Sequence, residues 1–159
     1  MKITSRIIFV IAIIIMTGAT IGQTAENRRF VVNHSNGTVL DTKTNLMWAS
    51  KDNSSDISWT DAKVYCESYT AGGYTDWRMP THDELASLYD ANKTRPAPCF
   101  GSFKIHVATK SIDITCFAPW TSETRGSDAS QLNFVNGTRF WYLQSQTYGT
   151  RALPVRSNK

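Results

Sequence analysis

The chain has 159 residues, with 17 Lys and Arg against 13 Asp and Glu and a formal net charge of +4. That length is enough for one domain with one core. The basic residues are scattered, which argues against nucleic acid as the primary partner.

Lys2 and Arg6, an apolar run from Ile7 to Met16 and small residues up to Ala25 predict a secretory signal peptide over 1–25. Cleavage after Gly22 or Ala25 leaves a single domain over 26–159 and lowers the charge from +4 to +2, since Lys2 and Arg6 depart. The apolar run is too short to span a bilayer comfortably, so no permanent membrane span is expected. No cysteine stands at the junction, which disfavours a lipoprotein. The expected location is periplasmic or secreted.

Phe30–Val32 and Thr38–Leu40 read as strands around the Asn36-Gly37 turn, and Leu46-Met47-Trp48 continues as a third. Ser58 caps the next helix, along which Trp59, Ala62, Tyr65, Cys66 and Tyr69 recur at helical spacing and form a core stripe. Gly72-Gly73 ends it. Thr81 and Glu84 write a capping box for a second helix over 81–90, with Pro80 keeping the entering chain extended. His82 inside that box reads as solvent-facing. A largely irregular, disulfide-bound loop follows to Pro119, with one strand at Lys104–Ala108. Trp120-Thr121-Ser122 reads as a short strand, and a hairpin on Asn136-Gly137 joins Gln131–Val135 to Thr138–Leu143. The closing strand is Ala152–Val155, with Pro154 confined to an edge or bulge. No internal repeat is evident. The pattern is α+β with antiparallel sheet.

Three cysteines remain after processing. Export favours a disulfide, and Cys99–Cys116 is the expected pair because it ties down a segment with little apolar material. Such a closure contributes about 3 kcal/mol in the chain-entropy model.

An ordered set of motifs carries a family resemblance. Asp41 to Trp48, Trp59-x-x-Ala62-x-x-Tyr65-Cys66-Glu67, and Gly72-Gly73-Tyr74-Thr75-Asp76-Trp77-Arg78-Met79-Pro80 come first. Glu84-Leu85-x-x-Leu88-Tyr89-Asp90, Trp120 to Glu123, Asn133-Phe134-x-x-Gly137 and Arg151 to Arg156 follow. Together they resemble the bacterial family named after the C-terminal domain of the Legionella collagen-like adhesin, over about Phe30 to Arg156. The resemblance implies a C-type-lectin-like fold, distantly akin to formylglycine-generating oxidases, with two helices on short strands and a long disulfide-bound loop. Many relatives carry a cysteine in the closing strand where this chain has Pro154, which leaves Cys66 as a buried thiol.

Within that frame Trp48, Trp59, Asp76, Trp77, Arg78, Pro80, Thr81, Glu84, Trp120 and Arg156 read as structural. Trp77 is expected in the core beside Trp48, and Arg78 is expected to be largely shielded, bonded to Asp41, Asp76 or Glu84. The binding surface is expected at the second hairpin, with Arg139, Trp141 and the nearby Tyr148 as candidate ligand contacts. Trp141 and Tyr142 face opposite sides of a strand, so one of them should enter the core.

No catalytic residues are assigned. Asp83 and Glu84 serve the helix start, no Gly-x-Ser-x-Gly elbow exists, and no His lies near Cys66 in sequence. His34, His82 and His106 share no ligand spacing, so no metal and no cofactor are indicated. Calcium through oxygen ligands such as Asp113 or Asp128 is left open, but their spacing does not demand it. The related oxidases use a cysteine pair near their C-terminal end, whereas this chain has no cysteine after Cys116. The expectation is a binding module for a glycan or an envelope protein. An oxidase-related enzyme and a purely structural envelope protein are the alternatives. Asn-x-Ser/Thr matches occur at Asn33, Asn36, Asn53, Asn92 and Asn136, and matter only in a host that glycosylates exported chains.

Overall fold

The computed structural model describes residues 29–159, so the expected signal peptide and its cleavage sites lie outside the described residues. The fold is mixed α+β: mostly strands, two short α-helices and the Cys99–Cys116 disulfide.

Strands β1 (Phe30–Asn33), β2 (Thr38–Asp41) and β3 (Leu46–Ala49) form an antiparallel meander. The last strand of the chain, β10 (Val155–Ser157), pairs with β3 and completes a sheet in the order β1-β2-β3-β10. A second ribbon joins β4 (Arg95–Ala97) to β5 (Phe100–Ile105), so the strand expected at Lys104–Ala108 begins earlier and ends earlier. The third sheet runs β8-β7-β6-β9, built from β6 (Ala118–Arg125), β7 (Asp128–Asn133), β8 (Thr138–Leu143) and β9 (Thr150–Arg151). β9 lies parallel to β6, and β8 is the exposed edge.

The two Asn-Gly turns are one device used twice. Asn33-His-Ser-Asn-Gly-Thr38 and Asn133-Phe-Val-Asn-Gly-Thr138 each close a four-residue loop. In each, the Gly N–H donates to the first Asn carbonyl, at 3.1 Å in one loop and 2.7 Å in the other. In each, the second Asn side chain accepts from the Thr backbone and hydroxyl. The Asn-Gly pair therefore ends a longer loop and is not itself a two-residue turn. The two loops place left-handed angles at Gly37 (φ 69°) and Gly137 (φ 75°), which glycine adopts without strain.

Helix α1 (Trp59–Glu67) starts at Ser58, whose hydroxyl accepts from the Asp61 N–H. Its Ala62 and Cys66 are buried against a small cluster with Met79, Trp120, Ala129 and Ala152. Helix α2 (His82–Ala86) carries the full capping box between Thr81 and Glu84, but it stops well short of Asp90. Beyond Ala86 the backbone changes partner: the Ala108 N–H donates to Leu88 O at 2.7 Å, and Tyr89 bridges Val107. A β-bridge to another segment competes with further helix and wins. Leu85 and Leu88 nevertheless enter the main core with Val39, Trp48, Ile105, Ile112, Ile114, Leu132, Phe134, Leu153 and Val155.

The closing segment departs from the expected single strand over Ala152–Val155. Thr150–Arg151 joins one sheet and Val155–Ser157 the other, while Ala152 to Pro154 crosses between them, buried. Pro154 has no N–H to give, but its carbonyl accepts from Ala49 at 3.0 Å.

Candidate functional site

The Asp76-Trp77-Arg78 motif fixes the junction between α1, α2 and the closing strand. Arg78 pairs its backbone with Val155 in both directions, at 2.9 and 3.0 Å. Its guanidinium grips Glu84 with two bonds of 2.7 and 2.6 Å, so one carboxylate serves both the capping box and the ion pair. Burial pushes the Glu84 carboxyl up, but the Arg78 and Thr81 bonds outweigh it and hold its pKa below the ordinary value. The Arg78 side chain is 40% exposed, so the expected shielding is only partial: the guanidinium lies at the surface with its planar edge on Glu84.

The other carboxylates expected near Arg78 have different partners. Asp76 takes two bonds from Arg156, at 2.6 and 3.2 Å, and that guanidinium lies 3.8 Å from the centroid of the Tyr74 ring. Asp41 is held by Arg29 at 2.8 and 2.6 Å, and Arg29 also donates to Ser87 O. Trp77 is buried, with its ring edge-on to Tyr69 at 5.1 Å and its indole N–H on Ala71 O. Neither of the two buried apolar clusters contains it, so it closes the end of α1 and does not join Trp48. Trp48 and Trp120 are fully buried, Pro80 is buried, and Trp59 is half-buried with its N–H on Thr121 O at 2.9 Å.

The hairpin face is differently built from what alternation predicted. Both Trp141 and Tyr142 remain outside the core, because β8 is an edge strand with solvent on each side; Trp141 is half-buried and Tyr142 is 47% exposed. Trp141 faces Arg139 on its own strand, and Arg125 reaches it from β6. The guanidinium carbons lie 4.4 Å (Arg125) and 5.9 Å (Arg139) from the ring centroid. The acidic neighbours are loosely engaged, Asp128 at 3.8 Å from Arg125 and Asp83 at 4.0 Å from Arg139. On the opposite side of β8, Phe140 and Tyr142 expose a second aromatic pair with centroids 6.1 Å apart.

Arg125 escaped the sequence reading, which ended that strand at Ser122. The signal was Gly126-Ser127, a two-residue turn between Arg125 and Asp128, with Gly126 at φ 57°. Tyr148 does not join the hairpin ladder. Its ring packs on Phe100 at 5.2 Å, within an aromatic group completed by Phe103 and Phe117 beside the disulfide ribbon. Gly149 permits that approach: a Cβ there would meet the Phe117 ring at 2.5 Å.

His82 corrects another expectation. It is half-buried, and its Nδ1 is enclosed without a partner. Burial, helped by Arg139, pushes its pKa below the ordinary value against the pull of Glu123 and Asp83. Glu123 accepts the His82 backbone N–H at 2.8 Å. Among the described residues no group of three or more His, Cys, Asp or Glu side chains could hold a metal ion. No helix among them is long and apolar enough to cross a membrane.

The profile of the Lcl C-terminal domain matches residues 37–156, which spans every element from the first turn to Arg156. The chain belongs to that family. Membership is consistent with an adhesin-type extracellular module. Within the Lcl C-terminal domain match lie both the Asp76-Trp77-Arg78 junction and the arginine–tryptophan face. No curated protein matches the chain at a significant level.

Proposed function

We propose that this is an exported binding module, periplasmic or secreted, that recognises an anionic glycan through the face of β8. One observation carries the reading: Arg125 and Arg139 share the Trp141 ring, at 4.4 and 5.9 Å, while holding their acidic neighbours only loosely. Two planar guanidinia fixed on an aromatic surface present forked donors suited to carboxylate or sulfate groups. Because the Arg125 guanidinium lies over the Trp141 ring, the indole serves to align charge. Phe140 and Tyr142 supply free aromatic surface on the other side of the strand.

Binding and not catalysis is the role favoured for this domain. Cys66 is the free thiol among the described residues, fully buried, and burial pushes its pKa up to about 12, so it remains a protonated, inaccessible thiol. The reading involves no cofactor and makes no use of calcium.

A glycan array with and without calcium tests it. Acidic saccharides should be retained without calcium, with affinity falling as salt rises. Arg125→Ala and Arg139→Ala should each weaken retention by about tenfold at unchanged melting temperature, a charge-assisted hydrogen bond lost to a ligand. A uniformly silent array would favour a structural envelope protein, and copper-dependent oxidation of a peptide cysteine would favour the oxidase-related alternative.

A further inference from the structure

A groove of about 330 Å³ lies between α1, the Arg78–Thr81 segment and β6, lined in part by Trp59, Lys63, Glu67, Arg78, Met79 and Ser122. No residue of the arginine–tryptophan ladder lines it. Trp59 and Met79 supply its apolar part. The Trp59 indole N–H is spent on Thr121 O at 2.9 Å, which locks the ring and leaves its carbon surface as the part available to a ligand. Met79 adds a buried thioether beside it.

The rim is polar and has bonding capacity left over. Arg78 uses both Nη1 protons, on Met79 O and Glu84, and one Nη2 proton on Glu84. Its Nε–H and second Nη2–H make no bond among the described residues. The Ser122 hydroxyl makes none either; the bond from that residue is its backbone N–H to Pro80 O. Lys63 and Glu67 stand one helical turn apart at 3.8 Å, both about half-exposed, which is a weak surface pair that a ligand can rearrange without much loss. Formal charges cancel: Lys63 and Arg78 against Glu67 and Glu84.

The geometry points to this groove as a subsite for an uncharged pyranose, with its C–H face against Trp59 and its hydroxyls on Arg78, Ser122, Lys63 and Glu67. A pyranose carries those two surfaces, one of axial C–H groups and one of hydroxyls that both donate and accept. The rim offers donors from Arg78, Lys63 and Ser122 and one acceptor carboxylate from Glu67. An anionic ligand finds no net charge here, which separates this groove from the β8 face. The half-exposed Arg78 thereby has two duties, one edge holding Glu84 and the other open to ligand.

This inference rests on the reading of the domain as a glycan binder, and its test separates the two. The 15N-labelled protein is titrated with methyl glucoside, methyl galactoside, methyl mannoside and N-acetylglucosamine, following the Trp59 indole N–H resonance. At least one sugar should give a saturable shift in the millimolar range. Lys63→Ala and Glu67→Ala, both on the exposed side of α1, should weaken that binding about fivefold each, one hydrogen bond apiece, without moving the melting temperature. Arg125→Ala should leave it unchanged. The inference is overturned if no neutral sugar moves the Trp59 resonance, or if the shift survives the Lys63→Ala/Glu67→Ala double variant. It is equally overturned if only charged sugars or peptides shift it. Loss of array binding on Arg125→Ala together with a silent groove sinks the groove alone; silence in both experiments sinks both readings.

Discussion

Asp52 tests the internal logic of the fold most sharply. It is 3% exposed and lies just past β3, where its carboxylate accepts the Thr115 N–H at 2.6 Å, the Thr115 hydroxyl at 2.8 Å and the Ser54 N–H at 2.9 Å. Thr115 in turn accepts from the buried Arg151 Nε at 2.8 Å, and its carbonyl receives the Cys99 N–H. One carboxylate thus anchors the residue next to the disulfide. Asp52→Ala leaves the buried Thr115 amide without an acceptor, a cost of about 1–3 kcal/mol, and forces its hydroxyl to find another partner. Relief of the carboxylate's own desolvation offsets part of this, so the net loss is about 1–2 kcal/mol. For a domain of this size that lowers the melting temperature by roughly 3–10 °C. Asp52→Asn keeps an acceptor for the amide and should lose only about 1 kcal/mol.

The pH dependence adds a second readout. Burial raises the Asp52 pKa above 3.8, ahead of the lowering bonds from Thr115 and Ser54. The folded protein therefore binds this proton more tightly than the unfolded chain. The contribution of this group to stability is smallest above the raised folded value and grows as pH falls from there toward 3.8. Asp52→Asn removes that dependence, so its deficit relative to wild type should widen on acidification. Thermal melts followed by circular dichroism across that window measure both effects. A melting temperature for Asp52→Ala within about 2 °C of wild type would refute the anchoring role.

Four further outcomes are expected. The Glu84 pKa is held below 4.5, so the stability from its pair with Arg78 is whole above 4.5 and is lost as pH falls through the folded value; Glu84→Gln should flatten that part of the acid limb in chemical denaturation. Because the Arg78 side chain is 40% exposed, Arg78→Ala should cost only about 1–2 kcal/mol by the same measurement. Cys66, with its thiol near 12, should resist iodoacetamide at mildly alkaline pH until denaturant opens the fold, as read by intact mass; rapid native labelling would contradict its burial. Replacing Cys99 and Cys116 by Ala removes a cross-link between residues 17 apart and should cost about 3 kcal/mol, with the β4–β5 ribbon becoming the first site of limited proteolysis.

Much of the local structure was legible because its causes are local. Ser58, Thr81 and Glu84 satisfy amides within one helical turn, and Asn36-Gly37 and Asn136-Gly137 hold left-handed turns through bonds two residues long. Short-range bonds of this kind depend on little beyond their own segment, so residue type and spacing suffice to read them. The shared Asn-x-x-Asn-Gly-Thr pattern was passed over in the sequence and reads as a repeat only once both loops are seen to close alike.

What the tertiary structure decided is pairing between distant segments. Three arginines and three carboxylates around the Asp76-Trp77-Arg78 motif allow several matchings by residue type. The fold selects Arg29–Asp41, Arg78–Glu84 and Arg156–Asp76 because β10 passes beside β3 and the motif. The early stop of α2 depends on Val107, and the exposure of both β8 faces depends on no strand among the described residues pairing beyond it. The candidate site follows the same rule. Arg139 and Trp141 are two residues apart and were readable together, but Arg125 joins them only through the β6–β7–β8 register, and Tyr148 leaves them because its ring finds Phe100. Hydrogen bonds across a turn are fixed by the sequence that makes the turn; contacts between strands are fixed by which strands the core brings side by side.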